Sequence, residues 1–495
     1  MGRPARLECA GARTYREVSR RKRDDAKTRA AGAAMTATSV PTQMHAISTQ
    51  TRSTVDDVLD YARRRALYED VPLDKPMTPQ DLSRLASGSI TADGIGARRA
   101  IALFENVLAP ACISTDHPGY LSFIPSAPTK ASLAFDVVVS ASAIYAGSWM
   151  EGAGAVFAEN EVLRWLADEF GMPRDAGGVF VQGGTIGNLS ALVTARDAAR
   201  RRNRDEGRAD PTRWLVVCSA EAHSSIASAA AVMDVDVVTA EVDTDGRLHG
   251  DAVARVIAEH GDAVFAVVAT GGTTNFGIVD DIAGVGAAAK ERGVWFHVDG
   301  AYGLAAMLVE SMRPAFAGVE LADSVIVDPH KWLFAPFDAC ALIYREPSLA
   351  LSAHTQKAEY LDTLTGKPDW NPSDLAVQLT RRARGLPLWF SLATHGTEPY
   401  RAAVAHGIEL ARRIADEIRV RDGLSLVRDP QLSVVVFRRE GWTLADYESW
   451  SNHLLDEQRA FVVPSSHAGE PVLRFAIVSP LTTFELLVDV LDTLR

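Results

Sequence analysis

The chain is poor in cysteine. Cys9, Cys112, Cys218 and Cys340 are all it has in 495 residues. They are scattered and form no CxxC pair. That argues against a disulfide framework and a thiolate zinc site, and it fits a reducing cytoplasm. Positive charge is also short: 51 Lys and Arg face 63 Asp and Glu, a formal charge of −12. No basic excess points to nucleic acid. No uninterrupted apolar run reaches the roughly 20 residues of a membrane span, and the first residues lack the apolar core of a secretory signal. What remains is an ordinary globular composition, 47% hydrophobic and 23% charged, long enough for two or three domains and a large core.

Residues 1–50 read as a disordered tail. GARTYREVSRRKRDDAKTRAAGAAMTATSVPTQ has no sustained apolar periodicity to drive packing. Glu8, Glu17, Asp24 and Asp25 count against an Arg-rich transit peptide, and Met35 is an alternative start. A helical segment is expected over 51–115. It opens at STVDDVLDYARRRALY with Ser53 or Thr54 as cap, and Val55, Val58, Leu59 and Ala62 recur at helical spacing. HPGYLSFIPSAPTK (117–130) reads as a loop rich in aromatics and prolines, and 131–169 as mostly helix.

Residues 175–345 alternate strands and helices. The strands are GVFV, WLVVCS, DVVTAEV, AVFAVVAT, VWFHVD, SVIV and CALIY, separated by Ala-rich stretches such as NLSALVTARDAARRR. Continuous apolar strands between helices imply an α/β fold whose mainly parallel sheet is buried on both faces. Ligands of such sheets sit at the carboxyl ends of strands, so the polar residues just past each strand deserve weight.

After GVFV comes QGGTIGN, where Gly184 and Thr185 open a helix; backbone N–H groups there suit an anion, though a turn and cap explain the glycines equally well. After WLVVCS comes His223, alone more plausible as a surface residue. After AVFAVVAT comes GGTTNFG with Thr274. After VWFHV comes Asp299, then Gly300 and Ala301. After SVIV come Asp328, Pro329, His330 and Lys331. Asp299 and Lys331 taken singly suggest a structural ion pair. Together they form the set that pyridoxal phosphate needs: an amine for its aldehyde, a carboxylate for its ring nitrogen, a flat group for its ring face, and an N–H cradle for its phosphate. A nucleotide P-loop would carry its lysine inside the glycine loop.

With those residues in place, the chain resembles the group II pyridoxal phosphate-dependent decarboxylases, the family of aromatic amino acid, glutamate and diaminobutyrate decarboxylases. The matching stretches are HPGYLSFIPSAPTKASL, GGVFVQGGTIGNLSALVTARD, AEAHSSI, VVATGGTTNFGIVDDI, WFHVDGAYG, ADSVIVDPHKWLF, RRARGLPLWF and VLRFAIVSP, in the family's order over roughly 55–490. The resemblance implies a fold type I enzyme: a large PLP-binding domain over 116–385, a small C-terminal α/β domain over 386–495, and an N-terminal helical segment packed on the partner of an obligate homodimer whose active site lies at the interface. It implies catalytic roles for Lys331, His223 and Asp299. Lys331 holds the cofactor aldehyde, Asp299 the ring nitrogen, His223 and Ala301 the two ring faces, and Gly184 with Thr185 the phosphate. Thr274, Asp328 and His330 fall at further cofactor contacts, and Pro125 and Ser126 where the substrate pocket begins. No metal is implied. The family often has Asn at Asp328; an acid near a phosphate must pair with a donor or point away.

The implied activity is decarboxylation of an L-amino acid to the amine. The family places a loop tyrosine before RRxRxLxxW that takes part in protonating Cα. Counting back from RRARGLPLW, that position falls on or next to Pro372, with Tyr360 farther upstream. Loss of this tyrosine is associated in the family with oxidative decarboxylation–deamination to an aldehyde, which is the alternative reading. Lys331 or His223 is a replacement acid. Another fold type I lyase or an aminotransferase would share the set, with Arg474 as a candidate carboxylate clamp. A degenerate binding protein is disfavoured by the intact Lys331, Asp299 and His223.

Overall fold

The computed structural model describes residues 43–125, 127–356 and 371–494. The chain divides into two compact units, Met1–Asp60 and Tyr61–Arg495. After a 3-10 turn at Gln43–His45, the first described α-helix is Thr49–Ala66, so it starts a turn ahead of the expected cap at Ser53 and inside the expected tail. The reason is Ser48, whose Oγ accepts the Thr51 N–H at 3.1 Å and caps the earlier turn. Residues 1–42, with Met35 and most of the tail, lie outside the described residues.

The expected helix over 131–169 is two helices, Lys130–Ala141 and Trp149–Glu169. Ala143 takes a left-handed φ of 51° and breaks the first. Ser148 then caps the second by accepting the Glu151 N–H.

All seven expected strands of the large sheet form. They are β1 (Gly177–Val181), β2 (Leu215–Cys218), β3 (Asp236–Thr239), β4 (Val264–Thr270), β5 (Trp295–Asp299), β6 (Ser324–Val327) and β7 (Cys340–Tyr344), in the order β1-β7-β6-β5-β4-β2-β3. Pairing is parallel from β3 through β6, and β7 runs against both β6 and β1. Every residue of β4 is buried. Alternate side chains enter separate cores: Val179 and Val181 pack in one, Phe180 in the other. Both faces are covered except at the edge strand β3, which is largely exposed, and this is why the inner strands read as unbroken apolar runs. The arrangement brings the carboxyl ends of β1, β2, β4, β5 and β6 to one edge.

A second sheet follows: β8 (Leu424–Leu426), β9 (Val434–Arg439), β10 (Ser465–His467) and β11 (Glu470–Ala476), antiparallel throughout in the order β10-β11-β9-β8. The helix Glu398–Arg419 packs on it with Leu410, Ala411, Ile414 and Ile418 in a shared core.

The chain that returns from residue 371 is clamped by a buried ion pair. Arg381 lies 2.7 Å from Glu159, with side chains 0% and 3% exposed. The guanidinium also donates to the Ala146 and Phe180 carbonyls, and Glu159 accepts the Gly385 N–H. Removing one partner strands the other charge in the core. Arg381→Met is therefore expected to cost about 3–5 kcal/mol in urea unfolding. Arg382→Met, which breaks the half-exposed pair with Asp136, is expected to cost about 1 kcal/mol or less.

Candidate active site

The common strand edge encloses a cavity of about 330 Å³, and Gly184, Thr185, His223, Thr274, Asp299, Ala301, Asp328, His330 and Lys331 all line it. Each arrives from a strand end. Past β1, Gln182 and Gly183 lead into the helix Gly184–Asp205. A Cβ on Gly184 would stand 3.1 Å from Asp328 Oδ2 and 3.4 Å from the Ala301 Cβ, so glycine lets this helix terminus approach the neighbouring strand ends closely.

β5 ends on Asp299, which is 5% exposed. Such a carboxylate needs donors. Oδ2 accepts from Asn188 Nδ2 at 2.9 Å and Oδ1 accepts the Ala301 N–H at 3.2 Å. Past β6, Asp328 is 2% exposed. Its Oδ2 stands 3.2 Å from Lys331 Nζ, accepts the Gly184 N–H at 3.3 Å, and lies 3.8 Å from His330 Nε2. All three contacts fall on Oδ2; Asp328 Oδ1 is buried with no hydrogen-bond partner among the described residues. Burial pulls the Lys331 pKa down, but the Asp328 and Asp299 carboxylates outweigh it and leave it raised. Burial and the same carboxylates push the Cys340 thiol well up, so Cys340 is no thiolate nucleophile. His330 donates Nδ1–H to the Ala339 carbonyl at 2.7 Å. His223 Nδ1 lies 2.8 Å from Ser225 Oγ at the start of the helix Ser225–Met233.

Other expected residues lie elsewhere. Arg474 is not among the cavity-lining residues; it donates to the Thr274 carbonyl at 2.8 Å and so holds the turn after β4 instead of facing a substrate carboxylate. Pro125 is half-buried and does not line the cavity. Its loop is tied to the segment before β10, where Leu121 N–H and Ser122 Oγ both donate to the Phe461 carbonyl at 3.0 Å. Gly119 permits this, because a Cβ there would meet the Arg459 carbonyl at 2.4 Å. Ser126 and Tyr360 lie outside the described residues. Pro372 is buried in the short 3-10 helix Pro372–Asp374, where the Ser373 N–H donates to the Gly147 carbonyl at 3.0 Å. A proline side chain has no proton to give.

The cavity also holds residues that sequence reasoning passed over: Gln182, Asn188, Ser225, Thr270, Phe337 and Asp338. Asn188 had a signal. It stands one helical turn after Gly184, on the same face. Phe337 and Asp338 follow Lys331 in an irregular turn and carried none.

The donor set suits pyridoxal phosphate. A helix N-terminus with a hydroxyl, a lysine, two carboxylates and an imidazole all line the one cavity. Gln182 Oε1 and Thr270 Oγ1 are buried with no hydrogen-bond partner among the described residues, so the cavity offers polar groups to a polar ligand. Among the described residues, no group of three His, Cys, Asp or Glu is placed to hold a metal, and no helix is long and apolar enough to cross a membrane.

Comparison with known proteins gives one consistent result. The family described as the pyridoxal-dependent decarboxylase conserved domain matches residues 79–440. The chain is 28% identical over 460 residues to an aromatic-L-amino-acid decarboxylase of Bacillus atrophaeus, covering 89% of this chain and 93% of that one. It is 26% identical over 458 residues to a phenylacetaldehyde synthase of Arabidopsis thaliana, covering 86% and 91%. The crystal structure of Oryza sativa TDC with PLP and tryptamine superposes with a TM-score of 0.83 at 25% identity, over 92% of this chain and 99% of that one.

The Asp328–Lys331 contact has a measurable consequence. An amine attacks an aldehyde only when neutral, and Asp328 favours the charged form. Asp328→Asn is expected to shift the pH midpoint for capture of pyridoxal phosphate by the cofactor-free protein, trapped with borohydride, to lower pH. An unchanged midpoint would show that the carboxylate does not govern the amine.

Proposed function

The chain belongs to the pyridoxal-dependent decarboxylase family, and from that premise we propose that it converts an L-amino acid with an aromatic or apolar side chain to the amine and carbon dioxide. The observation that carries this reading is the meeting of Lys331, Asp299, His223 and the Gly184–Thr185 helix terminus in one cavity. Gly184 and Thr185 would hold the cofactor phosphate, Asp299 the ring nitrogen, His223 and Ala301 the ring faces, and Lys331 the aldehyde carbon. Thr274, Asp328 and His330 complete the wall. When bound, pyridoxal phosphate supplies the electron sink for the pair left behind by the departing carboxylate.

The chain's own residues supply the rest. No arginine is among the described lining residues, so none of them offers the bidentate clamp that would hold a substrate carboxylate back. Asp299, Asp328 and Asp338 outnumber the single lysine, which disfavours substrates with an acidic side chain. Phe337 lines the cavity and is 58% exposed; it offers an apolar surface to a substrate side chain. Among the described lining residues, His223 and Lys331 would return a proton to Cα; Pro372 has no side-chain proton to give.

The proline on or next to the expected tyrosine position supports a second reading. If Cα is not protonated quickly, dioxygen takes the electron pair and is reduced to hydrogen peroxide, and hydrolysis releases the aldehyde and ammonia alongside carbon dioxide. We also infer a homodimer in the cytoplasm. Met150 and Phe157, on the helix Trp149–Glu169, are 60% and 58% exposed, a cost that a second copy would relieve.

Incubation with the common amino acids, following carbon dioxide, peroxide and organic product together, separates the readings. Amine without peroxide is expected, with an aromatic or apolar substrate the fastest. Aldehyde with equimolar peroxide would establish the second reading, and a keto acid with no carbon dioxide would sink both. Lys331→Ala is expected to abolish the visible absorbance of the bound cofactor and to lower carbon dioxide release by at least about two orders of magnitude; an unchanged spectrum would remove Lys331 from its role.

A further inference from the structure

A chain of buried hydrogen bonds runs behind the cavity, and its direction is fixed at every step. Trp295 Nε1–H donates to Ser324 Oγ at 2.9 Å, and Ser324 Oγ lies 2.8 Å from His297 Nδ1. His297 is wholly buried; burial pushes its pKa down to about 4, against the nearby Asp299 carboxylate. It therefore carries a single ring proton near neutral pH. His297 Nε2 meets Asn188 Oδ1 at 2.8 Å, and this oxygen can only accept, so the proton is on Nε2 and Nδ1 accepts from Ser324. Asn188 Nδ2 has two hydrogens and spends both: one on Asp299 Oδ2 and one on Ser225 Oγ, each at 2.9 Å. Ser225 Oγ then donates to His223 Nδ1, which also accepts the Ser225 N–H at 3.2 Å. The His223 ring proton is left on Nε2.

We propose that Asn188 is a positioning residue that yokes Asp299 to His223, with its amide held in one orientation by His297. Rotating that amide by half a turn would point its oxygen at a carboxylate and its NH₂ at the proton of His297, so both ends oppose it. Two groups on different elements, one from β5 and one ahead of the helix Ser225–Met233, are thereby held in a single mutual arrangement. The inference rests on the reading of Asp299 and His223 as cofactor contacts.

The isosteric change Asn188→Asp gives a readout that packing alone does not. The titratable groups facing this point are Asp299 and His297 on β5, His223 beside Ser225, and Lys331, Asp328 and Cys340 farther along the same wall. The introduced carboxyl is buried against Asp299. When protonated it can donate to Asp299 as the amide does; ionised, it repels it. The dissociation constant for pyridoxal phosphate, titrated into the cofactor-free dimer or monomer as isolated, is expected to exceed the parent's by about tenfold or more near neutral pH. The gap closes as pH falls. Curves for Asn188→Asp and parent that run parallel across pH would overturn the proposal. Should Asn188→Asp fail to accumulate, a second pair decides. His297→Gln keeps an N–H donor where Nε2 stands and is expected to bind near the parent level, whereas His297→Leu loses affinity; equal loss in both overturns the relay. A parent chain that does not retain pyridoxal phosphate would overturn the relay together with the site reading beneath it, whereas normal parent binding with parallel variant curves removes the relay alone.

Discussion

Two carboxylates stand side by side at the ends of β5 and β6, 5% and 2% exposed, and the cavity is organised around making that arrangement tolerable. An ion removed from water costs several kcal/mol unless donors replace the lost hydration. Asp299 draws its donors from Asn188 and the Ala301 amide. Asp328 draws on the Gly184 amide and on Lys331. These partners come from three different strand ends, so the sheet must be assembled in register before either acid is satisfied. The charge that makes the site useful also makes it depend on the whole fold.

The sheet meets this demand because its order puts β1, β5 and β6 within reach of one another while β7 inserts between β1 and β6. The glycines past β1 then let a helix terminus come up against Asp328. Behind the lysine the structure is braced. Trp332, 1% exposed, stacks on Tyr302 with centroids 5.2 Å apart. The Tyr302 hydroxyl pairs with Ser433 Oγ and accepts the Ser433 N–H, just ahead of β9. Arg474 on β11 holds the Thr274 turn. The small sheet thus supports two walls of the cavity without lending it a reactive group.

Most of this was legible in the sequence, for a physical reason. A strand buried on both faces is an unbroken apolar run, and a charged residue at its end is conspicuous against that background. Lys331, Asp299 and Asp328 each follow such a run. Ser48 and Ser148 show where reading fails: helix boundaries depend on a single side chain accepting a single N–H, and several nearby Ser and Thr compete for that role. Asn188 and His297 were passed over because amphipathic patterns treat a polar residue inside a buried helix or strand as noise. Their meaning lies in a pairing between elements 109 residues apart. Phe337 and Asp338 reach the cavity through irregular backbone, for which periodicity has no template.

The remaining chemical question is the source of one proton. The sequence expectation puts the loop hydroxyl on or next to Pro372, which is buried and has no side-chain proton to donate. His223 is the better placed of the two substitutes. Its Nδ1 is committed to Ser225, so its only ring proton is on Nε2, whereas Lys331 is held by Asp328 and must part with a proton in the field of two carboxylates. A donor that must leave a carboxylate's field gives up its proton reluctantly. On the proposed reading the hydrogen-bond relay through Asn188 and His297 would bear on product as well as on cofactor: by keeping the His223 proton on Nε2, it would preserve a proton source for the amine.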